Sequence, residues 1–332
     1  MLRATILTLL AVLGSMQPAF GDQDAIGDTL RREVAVPLYA DYDAQARSLA
    51  ATAPDCTGDW RASVRPAFVT SLLAWRRLEA AGAGPAAVPE TAARVYFWPD
   101  KHGTAGRQLA AALKDQPAGL ETAAGLAGQS AGLQSLAALE QLLYGDAATS
   151  AFACRFGLAI AGFQAQLAAQ MAATFAEDAT PGANFALAMF TGMRTTLDTV
   201  IQLELERPFG TDLATARGER ARGWRGDLSL SLIGAALETV ERVYTAPGGF
   251  STEIQASAEL SAFDAVLRAR LQAARAAVTE IKEPLQMAVS DPAARPQVEQ
   301  LLDELRAVRR LLVERLAPAL GLAAGFNALD GD

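Results

Sequence analysis

Apolar residues recur at helical spacing in nearly every long segment of this 332-residue chain. Within residues 150–177, for example, Ile160, Phe163, Leu167 and Met171 fall on one face of a helix. The chain is also rich in Ala, Leu, Gln, Glu and Arg, which lose little conformational entropy in a helix, and aromatic residues make up only 7% of it. The pattern therefore predicts an all-α protein.

The predicted helices fall into two sets of about four, as in helical bundles. The sequence EDATPGAN at 177–184 separates the sets, because Pro and Gly end helices. We expect helices at 24–50, 60–81, 104–114, 119–145 and 150–177, then at 184–206, 226–246, 255–288 and 293–317. The chain is thus predicted to form two packed four-helix-bundle-like halves, residues 22–180 and 181–332, with the C-terminal tail docked on the second.

The first 21 residues are typical of a secretory signal peptide. Arg3 precedes an apolar run over 4–13, and small residues at positions 19 and 21 suit a cleavage site. This run is too short to span a membrane, and no later stretch reaches the roughly 18 uninterrupted apolar residues that a span needs. We therefore expect a soluble, exported, periplasmic protein.

Cys56 and Cys154 are the only cysteines of the chain. Neither lies at the cleavage point, where a lipoprotein anchor requires a cysteine. In an exported chain two cysteines most simply form one disulfide, which here would close a loop of roughly 100 residues and contribute up to about 4.7 kcal/mol in the chain-entropy model. A catalytic thiol is disfavoured because it needs a nearby imidazole and the chain has one histidine, His102.

The formal net charge of −8 argues against nucleic acid as a partner, since an acidic protein repels phosphate backbones. The sequence also does not support a serine hydrolase or a zinc peptidase of the common types. G-x-S-x-G at 128–132 lacks the preceding strand that a nucleophile elbow requires, and no H-E-x-x-H or C-x-x-C motif is present. Carboxylates from facing helices remain able to hold a hard cation or iron.

The segment YFWPDKHG at 96–103 concentrates unusual chemistry, including His102, in eight positions. One interpretation is that it lines a cleft, with Phe97 and Trp98 as walls and Asp100 and His102 as polar contacts. The alternative is structural: Pro99 fixes a turn, Trp98 plugs the first bundle, and Asp100 caps the following helix.

A second unusual segment, ARGERARGWRGDLSL at 216–230, is basic within an acidic chain. Arg217, Arg220, Arg222 and Arg225 crowd nine positions. Such a run is usually a solvated helix start or an ion-pair network. Arg225 is also a candidate clamp for an anion or carboxylate, because a guanidinium makes bidentate contacts with such groups.

Four segments together resemble the imelysin-like family, specifically its exported bacterial branch with FWPD-x-x-G and G-F-N-x-L-D-G-D signatures. They are RVYFWPDKHGTAGRQLAAAL (94–113), SAGLQSLAALEQLLYGD (130–146), ERARGWRGDLSLSL (219–232) and LAPALGLAAGFNALDGD (316–332). The resemblance implies a two-bundle helical fold and a periplasmic or outer-membrane-associated location. It also links the chain to iron or other metal acquisition, and to founding members described as metallopeptidases.

The founding motif of that family is G-x-H-x-x-E on a helix. The matching positions here are Ser135, Ala137 and Glu140, so only the glutamate is retained. Loss of the histidine weakens a metallopeptidase mechanism, although Glu140, His102 and Asp100 form a candidate metal site if the 96–103 segment folds over the Glu140 helix. The candidate binding cleft as a whole consists of Trp98, Asp100, His102, Gln134, Glu140, Arg225, Ser229 and Asn327.

Three functions stay open at this point. The first is a non-enzymatic binding or accessory protein in iron or metal acquisition, which uses a cleft between the two bundles for iron, another divalent metal, a chelate or an envelope uptake protein. The second is a metal-dependent peptidase of the imelysin type, and the third is a ligand-free scaffold that binds a partner protein. The missing motif histidine favours the first.

Overall fold

The computed structural model describes residues 22–52, 54–57, 59–145 and 150–322. The predicted signal peptide and the terminal GFNALDGD, with Asn327, lie outside these ranges. The described residues form α-helices joined by short 3₁₀ turns and loops, and no β-strand occurs among them, so the all-α prediction is confirmed. None of their helices is long and apolar enough to cross a membrane.

The helices of residues 22–176 range in length from 4 to 26 residues. They are α1 (Gln23–Leu30), α2 (Val36–Ala50), α3 (Trp60–Ala81), α4 (Pro89–Val95), α5 (Thr104–Asp115), α6 (Ala123–Leu126), α7 (Ala131–Gln134), α8 (Leu136–Tyr144) and α9 (Ala151–Ala176). Those of residues 182–322 are α10 (Gly182–Asp198), α11 (Arg207–Phe209), α12 (Ser229–Thr245), α13 (Phe250–Ala256), α14 (Ser261–Glu280), α15 (Leu285–Ala288), α16 (Arg295–Leu311) and α17 (Ala317–Ala319).

Two predicted helices are broken into shorter pieces. The segment expected as one helix at 119–145 forms a 3₁₀ turn and the helices α6, α7 and α8. Thr122 and Ser135 have extended backbone, and the side chain of each accepts a hydrogen bond from a backbone N–H of the helix that follows it. Each of these residues therefore caps the start of a new helix. The segment at 255–288 breaks at Ser257, which is extended, and again before Pro284.

Three helices pass through a π-helical segment shortly before a proline. The π segments are Arg31–Ala35, Thr199–Glu206 and Leu312–Leu316, and the prolines are Pro37, Pro208 and Pro318, each two residues past the segment's end. Proline has no N–H to donate and its ring crowds the preceding turn, so the wider turn accommodates it without ending the helix.

One hydrophobic core cluster contains buried residues from both predicted halves, including Trp75 and Leu237. In the first half α2 packs on α3 and α9, and in the second α14 packs on α12 and α16. Helices α1 and α10 contact each other, as do α3 and α12, so these pairs join residues before and after 180. The domain boundary near residue 180 stays a prediction.

Glycine pairs permit the close approach between elements of the two halves. A Cβ on Gly27 would lie 1.7 Å from the carbonyl oxygen of Gly182, and one on Gly192 would lie 2.3 Å from the carbonyl oxygen of Ala81. Within the first half, Cys56 and Cys154 form the predicted disulfide, with their Cα atoms 5.5 Å apart. This bond ties the loop before α3 to the start of α9.

Candidate functional site

A cleft of about 290 Å³ opens where the 96–103 segment meets α8 and the loop that precedes α12. We call it the FWPD cleft. Its aromatic lining residues are Tyr96, Phe97, Trp98 and Trp224. Its charged lining residues are Asp100, Glu140, Arg207, Glu219, Arg220 and Arg225. Residues from before and after position 180 therefore share this cleft.

Glu140 is the deepest charged group of the cleft and is only 3% exposed. Its Oε2 accepts a 2.7 Å hydrogen bond from the Tyr96 hydroxyl, and its Oε1 accepts a 3.2 Å hydrogen bond from the backbone N–H of Arg225. Burial raises the pKa of Glu140 above its ordinary value, and these hydrogen bonds offset the increase only in part. The side chain is thus held in place by donors from both sides.

Tyr96 is itself fixed from behind by the buried Arg222. The Arg222 guanidinium lies 4.6 Å from the Tyr96 ring centroid and 5.7 Å from that of Trp98, so it supports two aromatic residues of the cleft. Burial raises the pKa of the Tyr96 phenol well above its ordinary value, and the charge of Glu140 raises it further. Tyr96 is therefore a hydrogen-bond donor at neutral pH.

The same arginine belongs to a buried cluster of four charges that joins the two halves. Arg222 Nη1 lies 2.8 Å from Glu79 Oε2, and Arg76 bridges Glu79 and Glu204 at 2.9 and 2.8 Å. Burial raises the pKa of Glu79, but the guanidinium groups of Arg222 and Arg76 outweigh this and hold it below its ordinary value. Glu79 is therefore held as a carboxylate between two guanidinium groups, and the cluster joins residues from before and after position 180.

Asp100 has the capping position that the structural alternative predicts. Its carboxylate accepts backbone N–H groups at the start of α5 from Thr104, Ala105 and Gly106, at 2.8, 2.9 and 3.3 Å. The Trp98–Pro99 peptide bond, just before it, is cis. Asp100 thus lines the cleft while its oxygens are already engaged with the α5 N-terminus.

The other sequence-derived candidates divide between the cleft and its surroundings. Trp98, Asp100, Glu140 and Arg225 line the FWPD cleft. His102 is exposed and does not line the cleft, and its carbonyl accepts a hydrogen bond from Arg107. Asn327 lies outside the described residues.

Gln134 and Ser229 are buried away from the cleft. The Gln134 amide donates to the carbonyls of Leu126 and Gln129, both at 2.8 Å, so it closes the turn between α6 and α7. Ser229 is the first residue of α12, and its hydroxyl has no hydrogen-bond partner in the described part of the chain. Gln134 therefore stabilises a turn, and the structure shows no such role for the Ser229 hydroxyl.

The residues around Glu140 do not fit a metal centre. No group of three or more His, Cys, Asp or Glu side chains suited to a metal occurs among the described residues. Ala137, at the position of the family's motif histidine, lines the cleft with a methyl group. Both Glu140 oxygens accept hydrogen bonds from protein donors, which compete with coordination of a cation.

Sequence reasoning missed several residues of the cleft. Tyr96, Arg207 and Trp224 were not proposed as site residues, and Arg222 was grouped with the arginines of a solvated face or an ion-pair network. The signal for Tyr96 was its position directly before FWPD. Arg207 lies 12 residues before Glu219, the first residue of the basic segment that lines the cleft. No comparable signal in the sequence identifies Arg207.

Comparison with known proteins bears on the fold and the family. A structure of an imelysin-like protein from Psychrobacter arcticum 273-4 superposes with a TM-score of 0.78 at 20% identity, over 92% of this chain and 97% of that one. A structure described as an iron-regulated protein A precursor, from Parabacteroides distasonis ATCC 8503, gives a TM-score of 0.66 at 13% identity, over 90% and 97%. These similarities establish a shared fold.

No curated protein matches the chain. The family model described as Imelysin matches residues 35–312, which include every described residue that lines the FWPD cleft. The protein is a member of the imelysin family.

Proposed function

We propose that this protein is an exported, non-enzymatic binding protein of metal uptake, which holds an anionic, carboxylate-bearing iron chelate in the FWPD cleft. The observation that carries this proposal is the distribution of charge in the cleft. The side chains of Arg207, Arg220 and Arg225 line it, and within the described residues none of them is hydrogen-bonded to another side chain; Arg225 stacks on Trp224, and its charge acts on Glu140. The carboxylates of Glu140 and Asp100 are engaged by protein N–H and O–H donors.

A chelate fits this arrangement better than a bare cation does. Guanidinium groups bind carboxylates through paired, charge-assisted hydrogen bonds, and they repel free metal ions. Among the carboxylates of the cleft, only that of the exposed Glu219 has no hydrogen-bond donor within the described residues. One such carboxylate is too few to form a cation site. Trp98 and Trp224 add flat apolar walls for the ligand body.

Two further observations support a role in iron uptake. The chain belongs to the imelysin family, and one protein of the same fold is described as iron-regulated. The disulfide agrees with an oxidising compartment such as the periplasm. In this proposal iron is cargo held by its chelator, so the protein itself supplies recognition of the ligand's negative charge.

The test is calorimetric titration of the mature protein with ferric dicitrate, iron-free citrate, ferrous iron, copper and zinc. We expect saturable one-site binding of the two citrate ligands and none of the bare ions. Arg225→Gln should weaken binding about tenfold or more, because it removes charge-assisted hydrogen bonds and keeps the backbone N–H to Glu140. Arg310→Gln, an equal charge change at an exposed position of α16, is the matched control.

Other outcomes contradict the proposal. Citrate binding that Arg225→Gln leaves unchanged would place the ligand elsewhere. Saturable binding of a bare metal that is lost in Glu140→Ala would instead indicate a metal site. Casein cleavage that stops on addition of a chelator would favour the peptidase alternative.

A further inference from the structure

A second cavity, of about 770 Å³, lies beside the FWPD cleft. We call it the side chamber. It is bounded by the loop before α12 and by α15, and it shares Glu219, Arg220, Trp224 and Arg225 with the cleft. The two cavities are thus neighbouring compartments, and Trp224 and Arg225 are among the residues that line both.

We propose that the side chamber is a second subsite for the same ligand, and that the site therefore selects chelates with at least two carboxylate-bearing arms. One arm occupies the FWPD cleft and the other occupies the side chamber. This inference rests on the function proposed above and adds to it the size and valence of the ligand.

Volume is the first argument for a two-compartment site. Small-molecule sites usually measure about 300–1,000 Å³, and the FWPD cleft, at about 290 Å³, lies at the lower end of that range. A single small tricarboxylate fits such a cleft, but a metal ion surrounded by two chelator molecules needs more room. The side chamber provides that room directly alongside.

Charge and hydrogen bonding give the second argument. The side chamber adds Arg217, whose Nη1 donates to the carbonyls of Ala214 and Ala216 at 2.9 and 2.7 Å and so has a fixed position. The acidic Asp227 of the chamber accepts a hydrogen bond from Gln286 Nε2. The chamber therefore presents guanidinium groups, while one of its acids is already engaged.

Gln286 forms part of the wall of the side chamber and donates through its Nε2 to Asp227. Its Oε1 is buried, so it is not accessible to a ligand in the chamber. Gln286 is also held in place, because its backbone packs so closely on Gly218 that a Cβ there would lie 2.2 Å from the Gln286 carbonyl oxygen.

The residues between the compartments are suited to contact both arms. The Arg225 guanidinium stacks on Trp224 at 4.5 Å from the ring centroid, which limits its motion while its edge stays free for hydrogen bonds. Arg225 is exposed and lines both cavities. One arginine can thus contact carboxylates of both arms of a chelate.

The experiment separates the two compartments. Ser290 is exposed and lines the side chamber but not the cleft, so Ser290→Trp fills the chamber without changing the shared residues, and Ser290→Ala is its control. Thermal unfolding first verifies that both variants fold. Calorimetry then compares ferric dicitrate with iron-free citrate on the mature wild-type protein and both variants.

We expect Ser290→Trp to weaken ferric dicitrate binding about tenfold or more and to leave citrate binding unchanged, while Ser290→Ala changes neither. Arg217→Gln should likewise weaken only the larger ligand. If Ser290→Trp binds ferric dicitrate as tightly as the wild type, the second subsite is refuted and the proposed function stands. If the wild type binds neither ligand, both proposals fail.

Discussion

The Tyr96 hydroxyl donates a 2.7 Å hydrogen bond to Oε2 of Glu140, the one residue of the family's G-x-H-x-x-E motif that this chain retains. Tyr96 directly follows α4 and Glu140 lies within α8, and the two residues meet at the wall of the FWPD cleft. The backbone N–H of Arg225 completes the arrangement from the second half. In this chain Glu140 therefore joins the two halves through hydrogen bonds.

The first prediction concerns the cost of burying the Glu140 charge. Burial raises the pKa of Glu140 above the unfolded value of about 4.3, so the folded state binds the proton more tightly than the unfolded state does. At pH values between the unfolded and the folded pKa, the free energy of unfolding therefore falls as pH rises. Glu140→Gln removes this charge and keeps an acceptor for Arg225. We expect the variant to be at least as stable as the wild type at pH 7, with a relative advantage that grows from about pH 4.3 to the raised folded pKa and is constant above it.

Urea unfolding from pH 4 to pH 8 measures this difference. Glu140→Ala is the contrasting variant, since it leaves the Tyr96 hydroxyl and the Arg225 N–H without their partner and should cost about 1–3 kcal/mol. A wild-type protein that gains stability relative to Glu140→Gln as pH rises would contradict the prediction.

The second prediction concerns Arg222, which neutralises Glu79 and approaches Glu204 inside the protein. Arg222→Met removes one cation and leaves two buried carboxylates with Arg76 alone. We expect a loss of about 3–5 kcal/mol in the free energy of unfolding, as for other broken buried ion pairs. Denaturant unfolding at pH 7 measures it.

Arg270→Met is the matched control, because Arg270 pairs with Glu304 while half-exposed. That change should cost no more than about 1 kcal/mol. Equal losses in the two variants would show that the buried cluster adds nothing beyond an ordinary surface pair.

The third prediction concerns the crossing of Gly82 and Gly192. A Cβ on Gly192 would lie 2.3 Å from the Ala81 carbonyl oxygen and 2.8 Å from the Gly82 Cα, and backbone atoms cannot rotate aside. We expect Gly192→Ala to lower the free energy of unfolding by at least about 2 kcal/mol. Thermal and urea unfolding of the purified variant measure the loss.

Gly234→Ala provides the opposite result in the same chain. Gly234 lies within α12, and its added Cβ would meet only Val278 Cγ1 at 3.8 Å. Here alanine should stabilise the protein by up to about 1 kcal/mol through its higher helix propensity. A Gly192→Ala variant as stable as the wild type would refute the close approach.

The long helices were predictable because each buries a continuous apolar stripe. The periodicity over 60–81 and 150–177 matches Trp60–Ala81 and Ala151–Ala176 closely. Short helices were not predictable, since the single extended residue Ser135 separates α7 from α8, and only residues 127–130 separate α6 from α7, within an otherwise helical composition. Periodicity averages over a window that is longer than these interruptions.

The residues of the cleft, too, were predictable only in part. The density of chemistry in 96–103 and in the arginine-rich segment directed attention to Trp98 and Arg225, which the structure places in the same cavity. It did not predict that Arg222 is buried and that Arg225 is exposed. Between them Gly223 adopts φ = 70°, and this left-handed turn sends the two side chains in different directions, which no periodic pattern encodes.

The last prediction concerns Asp264, which is buried in the second half with four side-chain partners. Tyr244, Ser251, Gln255 and Arg268 all donate to its carboxylate. Burial raises the pKa of Asp264, but these hydrogen bonds outweigh it and lower the pKa to about 2. Its stabilising contribution is therefore complete above the unfolded pKa of about 3.9 and is lost as pH falls through about 2.

We expect this contribution to be about 2–3 kcal/mol, the free energy that corresponds to the difference between the folded and unfolded pKa values. Urea unfolding between pH 2 and pH 5 should show the wild type losing its advantage over Asp264→Asn as the pH falls. Asp115→Asn is the control, because Asp115 is exposed and forms no hydrogen bond through its side chain within the described residues. A carboxylate that stabilises the fold when ionised loses that contribution on protonation. If the wild type and Asp264→Asn therefore differ in free energy of unfolding by the same amount at pH 5 and at pH 2, the ionised Asp264 carboxylate does not stabilise the fold.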